Sequence, residues 1–273
     1  MESSNHPLSA DIKMVTPHKN TIVTLYWLEQ SRAHRILWLL EELNIPYELQ
    51  TFKRGLDKLA PRGLRDIHPL GKSPIVTISS SHSESPLVLA ESGFVAEYLC
   101  DHFGGQHLIP KRFADESRDG GVGDETEEWL RYRYYMHYTE GSLMPNLVMK
   151  VVTNMLRTAP PVLIRGLFSF VASKIEQNFL DRNFVDHFAF LENQLRSAPG
   201  GGPFLTGQKL TVADILMSYP VVESMTRVVG VQRGMNADRY PLLAAYAARL
   251  QQCEGYKRAV AKIIAIEGDF KAC

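Results

Sequence analysis

The order of elements written into the first hundred residues limits this chain more than any other feature. Ile22-Val23-Thr24-Leu25-Tyr26-Trp27 is a run of β-branched and aromatic residues, the composition of a strand. After the polar turn Glu29-Gln30-Ser31, apolar residues Ala33, Ile36, Leu37, Leu40 and Leu43 recur at helical spacing, and Asn44 followed by Pro46 is a stop signal. Residues 47–52 then alternate Tyr47 and Leu49 with Glu48 and Gln50, the period of a half-buried strand. Strand, helix and strand with short links predict a parallel pair joined by a right-handed crossover. Beyond a linking segment at 63–67, short apolar runs at 75–78 and 87–90 flank a Ser-rich stretch and predict a hairpin, and Glu91-Ser92-Gly93 opens a helix to about His102.

This β-α-β, β-β-α order predicts an α/β unit over 21–104, closed by Gly104-Gly105. An acidic, Gly-rich linker at 105–126 follows, and then a unit with mainly helical patterns over 127–273, clearest at 127–141, 179–195 and 242–253. Residues 1–20 are polar, broken by Pro7 and Pro17, and carry no apolar core, so they read as a disordered tail rather than a signal peptide.

Composition removes several function classes. Lys+Arg and Asp+Glu are both 30, without the basic surplus of a nucleic-acid binder. The cysteines Cys100, Cys253 and Cys273 form neither a disulfide framework nor a C-x-x-C pair, which fits reduced thiols in the cytoplasm. Cys100 falls in a helical pattern and reads as a buried apolar residue. No metal site is expected, for want of ligands at short spacing. No uninterrupted run of about 18 apolar residues is present. The most apolar stretch, 160–172, is opened by Pro160-Pro161 and cut by Arg165. The wider segment at 150–190 is open to two readings, a lid or a peripheral membrane contact.

Three places at element ends carry chemistry. Ser73-Pro74 directly precedes a strand; local sequence alone favours a trans edge proline. A cis bond would instead turn the Ser73 peptide toward an open edge that an extended peptide can pair with. Ser92 is suited to N-cap the helix it opens, whose amide groups and dipole suit a carboxylate, while Glu91 beside it suits an ammonium group. An α-amino acid carries both charges on one carbon. Ser31 stands at the turn before the first helix, where it either caps that helix or donates to a bound thiolate. A free thiol is roughly 3% ionised near neutral pH; lowering its pKa by about two units raises that to roughly 75%, about 2.7 kcal/mol of differential stabilisation.

Ser31-Arg32-Ala33-His34-Arg35, His68-Pro69-Leu70-Gly71-Lys72-Ser73-Pro74, Ala90-Glu91-Ser92 and, later, Phe204-Leu205-Thr206-Gly207 with Leu210-Thr211-Val212-Ala213-Asp214 together resemble the glutathione transferase family. Trp27-Leu28-Glu29-Gln30 and Glu140-Gly141-Ser142-Leu143 are similar to its fungal members of the yeast type. The resemblance implies a thioredoxin-like α/β domain followed by an all-α helical domain, and a homodimer. It implies glutathione lying along the first domain: its γ-glutamyl group on Glu91 and Ser92, its cysteine backbone on Ser73 beside a cis Pro74, its glycine end toward Lys72 and His68, and its thiol facing Ser31. Tyr26, at the end of the first strand, is the runner-up for the catalytic role. Thr211 and Asp214 match a helix-starting capping box, a structural element of that family. An electrophile pocket is expected beside Leu28 and Tyr138, among the aromatic residues at 129–138. No cysteine stands at the Ser31 turn, which argues against thiol-transfer chemistry. The implied activity is conjugation of glutathione to an apolar electrophile, in detoxification or a fungal secondary-metabolite pathway. The alternatives are a non-catalytic glutathione-binding regulator and a glutathione-dependent peroxidase.

Overall fold

The computed structural model describes residues 21–57, 59–81, 83–115, 120–225 and 237–270. The expected tail at 1–20 and Cys273 lie outside the described residues.

Strands β1 (Ile22–Leu28), β2 (Tyr47–Phe52), β3 (Ile75–Ser79) and β4 (Leu87–Ala90) form one sheet in the order β2-β1-β3-β4. β1 and β2 run parallel with Val23 opposite Tyr47, while β1–β3 and β3–β4 are antiparallel with Tyr26 opposite Ile75 and Ile75 opposite Ala90. The parallel crossover is α1 (Ala33–Leu43), which ends at Asn44 in the left-handed conformation, φ 51°, that asparagine tolerates. α2 (Gly63–Ile67) occupies the stretch expected as a link, its five residues being too few to display a helical period, and α3 (Ser92–His102) closes the unit.

Alternation along β1 sorts its side chains onto two faces. Val23, Leu25 and Trp27 join the main core with α1 and α3, whereas Tyr26 and Leu28 face a smaller cluster with Leu64 of α2, Phe52 and Ile75.

The second half is helical. α4 (Glu127–Tyr138) passes through a π-turn, Thr139–Leu143, directly into α5 (Met144–Thr158). α6 (Val162–Ile175) passes through a second π-turn, Glu176–Leu180, into α7 (Asp181–Arg196). α8 (Val212–Glu223), α9 (Pro241–Gln252) and α10 (Glu254–Glu267) follow. α8 is buried along its whole length and starts at the capping box: Thr211 N–H and Oγ1 both donate to Asp214 Oδ2, at 3.0 and 2.7 Å. Leu205 N–H and Tyr246 Oη donate to the other Asp214 oxygen. α10 lies on α1, where a side chain on Gly255 would meet Trp38 Cδ1 at 2.9 Å, so glycine is what permits that approach. The fold is thus a thioredoxin-like α/β unit followed by an all-α unit.

Candidate functional site

Three connections meet at one end of the sheet. In the first, between β1 and α1, Arg54 holds the turn from the side: its N–H donates to Glu29 Oε1 at 2.6 Å and its guanidinium to the Glu29 and Gln30 carbonyls at 3.2 and 3.1 Å. Ser31 is buried, and its Oγ accepts from Ala33 N–H at 3.2 Å. A hydroxyl used as an acceptor keeps its own proton for another partner, so capping and donation to a thiolate are compatible.

The second connection leads from α2 to β3. Gly71 has φ 56°, and a Cβ there would sit 2.6 Å from Arg65 Cγ. Two residues on, the Ser73–Pro74 peptide is cis, against the trans form that local sequence favours. Ser73 Oγ donates to the Tyr26 carbonyl at 3.0 Å, tying the bend to β1.

The third connection is the β4–α3 corner. Glu91 holds φ 71°, ψ 110°, a conformation that costs of order 1–3 kcal/mol for a non-glycine residue. Ser92 is not the cap that the sequence suggests. It is the first helical residue, and its Oγ instead accepts from Arg35 Nη2 at 3.0 Å.

His68, Lys72, Ser73, Pro74, Glu91 and Ser92 line one cavity of about 170 Å³ together with Arg32, Leu70 and Ala90. The cavity sets Lys72, the N-terminus of α3 and Arg32, which also pairs with Glu140, against the Glu91 carboxylate. It therefore suits a ligand bearing carboxylates and one ammonium group.

Other expected residues lie apart from it. Ser31 is outside the cavity wall, one residue before Arg32. Tyr26 turns its ring toward Phe52, and its hydroxyl accepts from Thr77 Oγ1 at 3.3 Å, on the α2 side of the sheet. Leu28 is only 3% exposed and packs under Leu64 and Ile75, so the expectation that it borders a substrate pocket is corrected: strand alternation points it into the core. Tyr138 borders a separate, shallow groove with Arg133, Tyr134, His137, Gly141 and Ser142. Its Oη bonds His187 Nδ1 at 2.7 Å, and burial pushes its phenol well up and holds it protonated.

One network escaped the sequence reading. Arg35, fully buried in α1, reaches Glu140 Oε1 at 2.6 Å and the Leu216 carbonyl at 3.1 Å as well as Ser92, and Arg32 takes the second Glu140 oxygen at 2.5 Å. Burial opposes the Arg35 charge, and Glu140 offsets that. The π-turn after α4 carries Glu140 to this point. The two motifs were visible, but nothing in either one signals a contact across 105 positions.

Elsewhere, burial pushes the Cys100 thiol up to about 12, far from a reactive thiolate. Among the described residues, no group of three or more His, Cys, Asp or Glu side chains is placed to share a metal ion, and no helix is long and apolar enough to cross a membrane.

Comparison with known proteins gives this arrangement its context. Family models described as the glutathione S-transferase N-terminal and C-terminal domains match residues 31–102 and 168–259. The chain is 32% identical over 250 residues to Glutathione S-transferase 1 of Saccharomyces cerevisiae, covering 91% of this chain and 98% of that protein. It is 28% identical over 200 residues to Glutathione S-transferase 3 of Schizosaccharomyces pombe, covering 73% of each. A Phanerochaete chrysosporium glutathione transferase solved with oxidised glutathione shares the fold at a TM-score of 0.62 and 16% identity, over 93% of this chain and 99% of that one. With both family domains present in order and the yeast relative aligned over nearly its full length, the chain belongs to the glutathione S-transferase family of enzymes.

Proposed function

We propose that this chain binds glutathione in the cavity between the Ser73–Pro74 bend and the start of α3, and adds its thiolate to an apolar electrophile. The observation that carries the reading is the charge layout of that cavity. Glu91 meets the γ-glutamyl ammonium, the Ser92 amide end of α3 meets the α-carboxylate, and Lys72 with His68 receives the glycine carboxylate. Ser73 beside cis Pro74 offers its backbone to the cysteine residue. Ser31 donates its free hydroxyl proton to the thiolate; Tyr26 is the less favoured donor, since its ring lies beside Phe52 on the α2 side of the sheet, outside the cavity wall. Residues 21–104 carry glutathione and 127–273 the electrophile, which lies along the groove beside Tyr138. The working form is a cytoplasmic homodimer, acting in detoxification or on a fungal secondary metabolite.

Calorimetric titration with glutathione, run on the wild type and on Glu91→Gln, tests the binding half. Losing a charge-assisted contact of about 1.5–3 kcal/mol weakens affinity about tenfold to a hundredfold. Turnover of a chloronitrobenzene acceptor and of cumene hydroperoxide tests the chemical half. Binding without turnover of either would assign a regulatory role, and peroxide turnover alone would assign a peroxidase.

A further inference from the structure

Residues 141–175 form the longest stretch of this chain without a single Asp or Glu: 35 residues holding Lys150, Arg157, Arg165 and Lys174, in a chain whose totals balance at 30 and 30. The structure makes this stretch one lobe. α5 and α6 form a hairpin about Pro160-Pro161, and α6 packs chiefly on α5 and on the Glu176–Leu180 turn. Within the lobe, Glu176 binds Lys150 Nζ at 2.8 Å and Arg157 Nη2 at 2.7 Å, so those two cations are turned inward. Arg165 and Lys174 remain on the outside, the first on the Pro160 carbonyl and the second over the Phe170 ring at 5.6 Å.

The outer face is apolar. Of α6 only Ala172 is buried, while Leu163 is 97% exposed, Leu167 66% and Phe170 60%; on α5, Val148, Val152 and Met155 are 45–50% exposed at the same helical spacing. Single exposed apolar residues are ordinary, but exposed apolar residues repeated at helical spacing along both packed helices mark a contact surface.

We infer that the α5–α6 hairpin docks this protein on an anionic lipid surface, with Leu163, Leu167 and Phe170 seated at the acyl boundary and Arg165 and Lys174 among the headgroup phosphates and carboxylates. Charge selects this occupant over a second copy of the chain. A two-fold interface lays the patch on itself and gathers the two Arg165 and two Lys174 side chains into one contact, with no carboxylate in the hairpin to pair them. A bilayer surface takes up the apolar area and neutralises both cations.

The test uses the full chain with vesicles of phosphatidylcholine alone and of phosphatidylcholine mixed with phosphatidylserine, separated by flotation. Two outward cations predict partitioning about thirtyfold stronger to the anionic vesicles, falling as salt is raised. Leu163→Asp with Phe170→Asp is expected to abolish binding to both, and Arg165→Glu with Lys174→Glu to bring the two vesicle types level. All four positions are at the surface, so the variants keep the wild-type melting temperature and glutathione affinity, which serve as folding controls. Wild-type protein that fails to float with either vesicle overturns the inference, as does a Leu163→Asp/Phe170→Asp variant that floats like the wild type. A double variant that instead drops to a smaller oligomer, with no vesicle binding by either protein, assigns the face to a protein interface and equally overturns it.

Discussion

Glu140→Gln removes one negative charge with almost no change of shape, and its effect can be worked out from the contacts. Arg35 is fully buried, and in the variant its guanidinium keeps the Leu216 carbonyl, Ser92 Oγ, the Tyr219 ring at 5.8 Å and the amide oxygen of the new glutamine, none of them an anion. Stripping one partner from a buried ion pair costs about 3–5 kcal/mol, because the remaining charge stays out of water. The Glu140 side chain is 30% exposed, so solvent recovers part of that loss, and about 2–3 kcal/mol is expected. At about 2–4 °C per kcal/mol for a chain of this size, the melting temperature falls by about 5–10 °C. Acid adds a sharper signature. Burial opposes ionisation of Glu140, but Arg35 and Arg32 hold its carboxyl below the ordinary glutamate value. A depressed carboxyl contributes its stabilisation fully above the unfolded-chain value and loses it as pH falls through the folded one. The gap in melting temperature between wild type and variant therefore holds from neutral pH down to the ordinary glutamate value of 4.5 and narrows as the pH falls below it. Because Arg35 also holds Ser92, glutathione affinity weakens in the variant alongside stability. Calorimetric melting across a pH series measures both effects; a gap under about 1 °C at neutral pH, or one that does not change with pH, would refute the argument.

Three other substitutions have defined outcomes. Ser31→Ala raises the pKa of bound glutathione, read from thiolate absorbance against pH, and lowers kcat/KM about tenfold to a hundredfold through loss of a hydrogen bond to a charged group; Tyr26→Phe leaves both in place. Asp214→Ala strands the donors at Leu205, Thr211 and Tyr246 inside the core, and urea unfolding should register a loss of about 3–5 kcal/mol. Burial acts to raise the Glu176 carboxyl, but Arg157, Lys150 and Thr153 together hold it down to about 2. Its stabilisation is thus complete above the ordinary value of 4.5 and fades as pH falls toward 2, so Glu176→Gln flattens the acid limb of the stability curve over that window.

Much of the fold was legible because local rules reach it. The apolar repeat of α1 and its Asn44 stop, the alternation of β2, and the Thr211–Asp214 box each lie within a dozen residues of chain, the span over which backbone preference and side-chain capping act. α2 was missed because five residues show no period. Leu28 was misplaced because a residue at a strand's end was judged by its nearness to the turn, while the pleat had already decided which face it occupies.

Local pattern thus sufficed for the four strands, for α1 and α3, for the family, and for the residue types offered at each turn. Packing alone brings Arg32, His68 and Glu91 to one cavity, turns Ser92 to Arg35 rather than to its own helix, and lets Glu140 close the network from the far side of α4. The reason lies in range. Propensity, periodicity and capping act between near neighbours in the chain, whereas the balance of a buried guanidinium against a carboxylate depends on which surfaces packing has removed from water, and that is settled only when the helical half closes on the sheet.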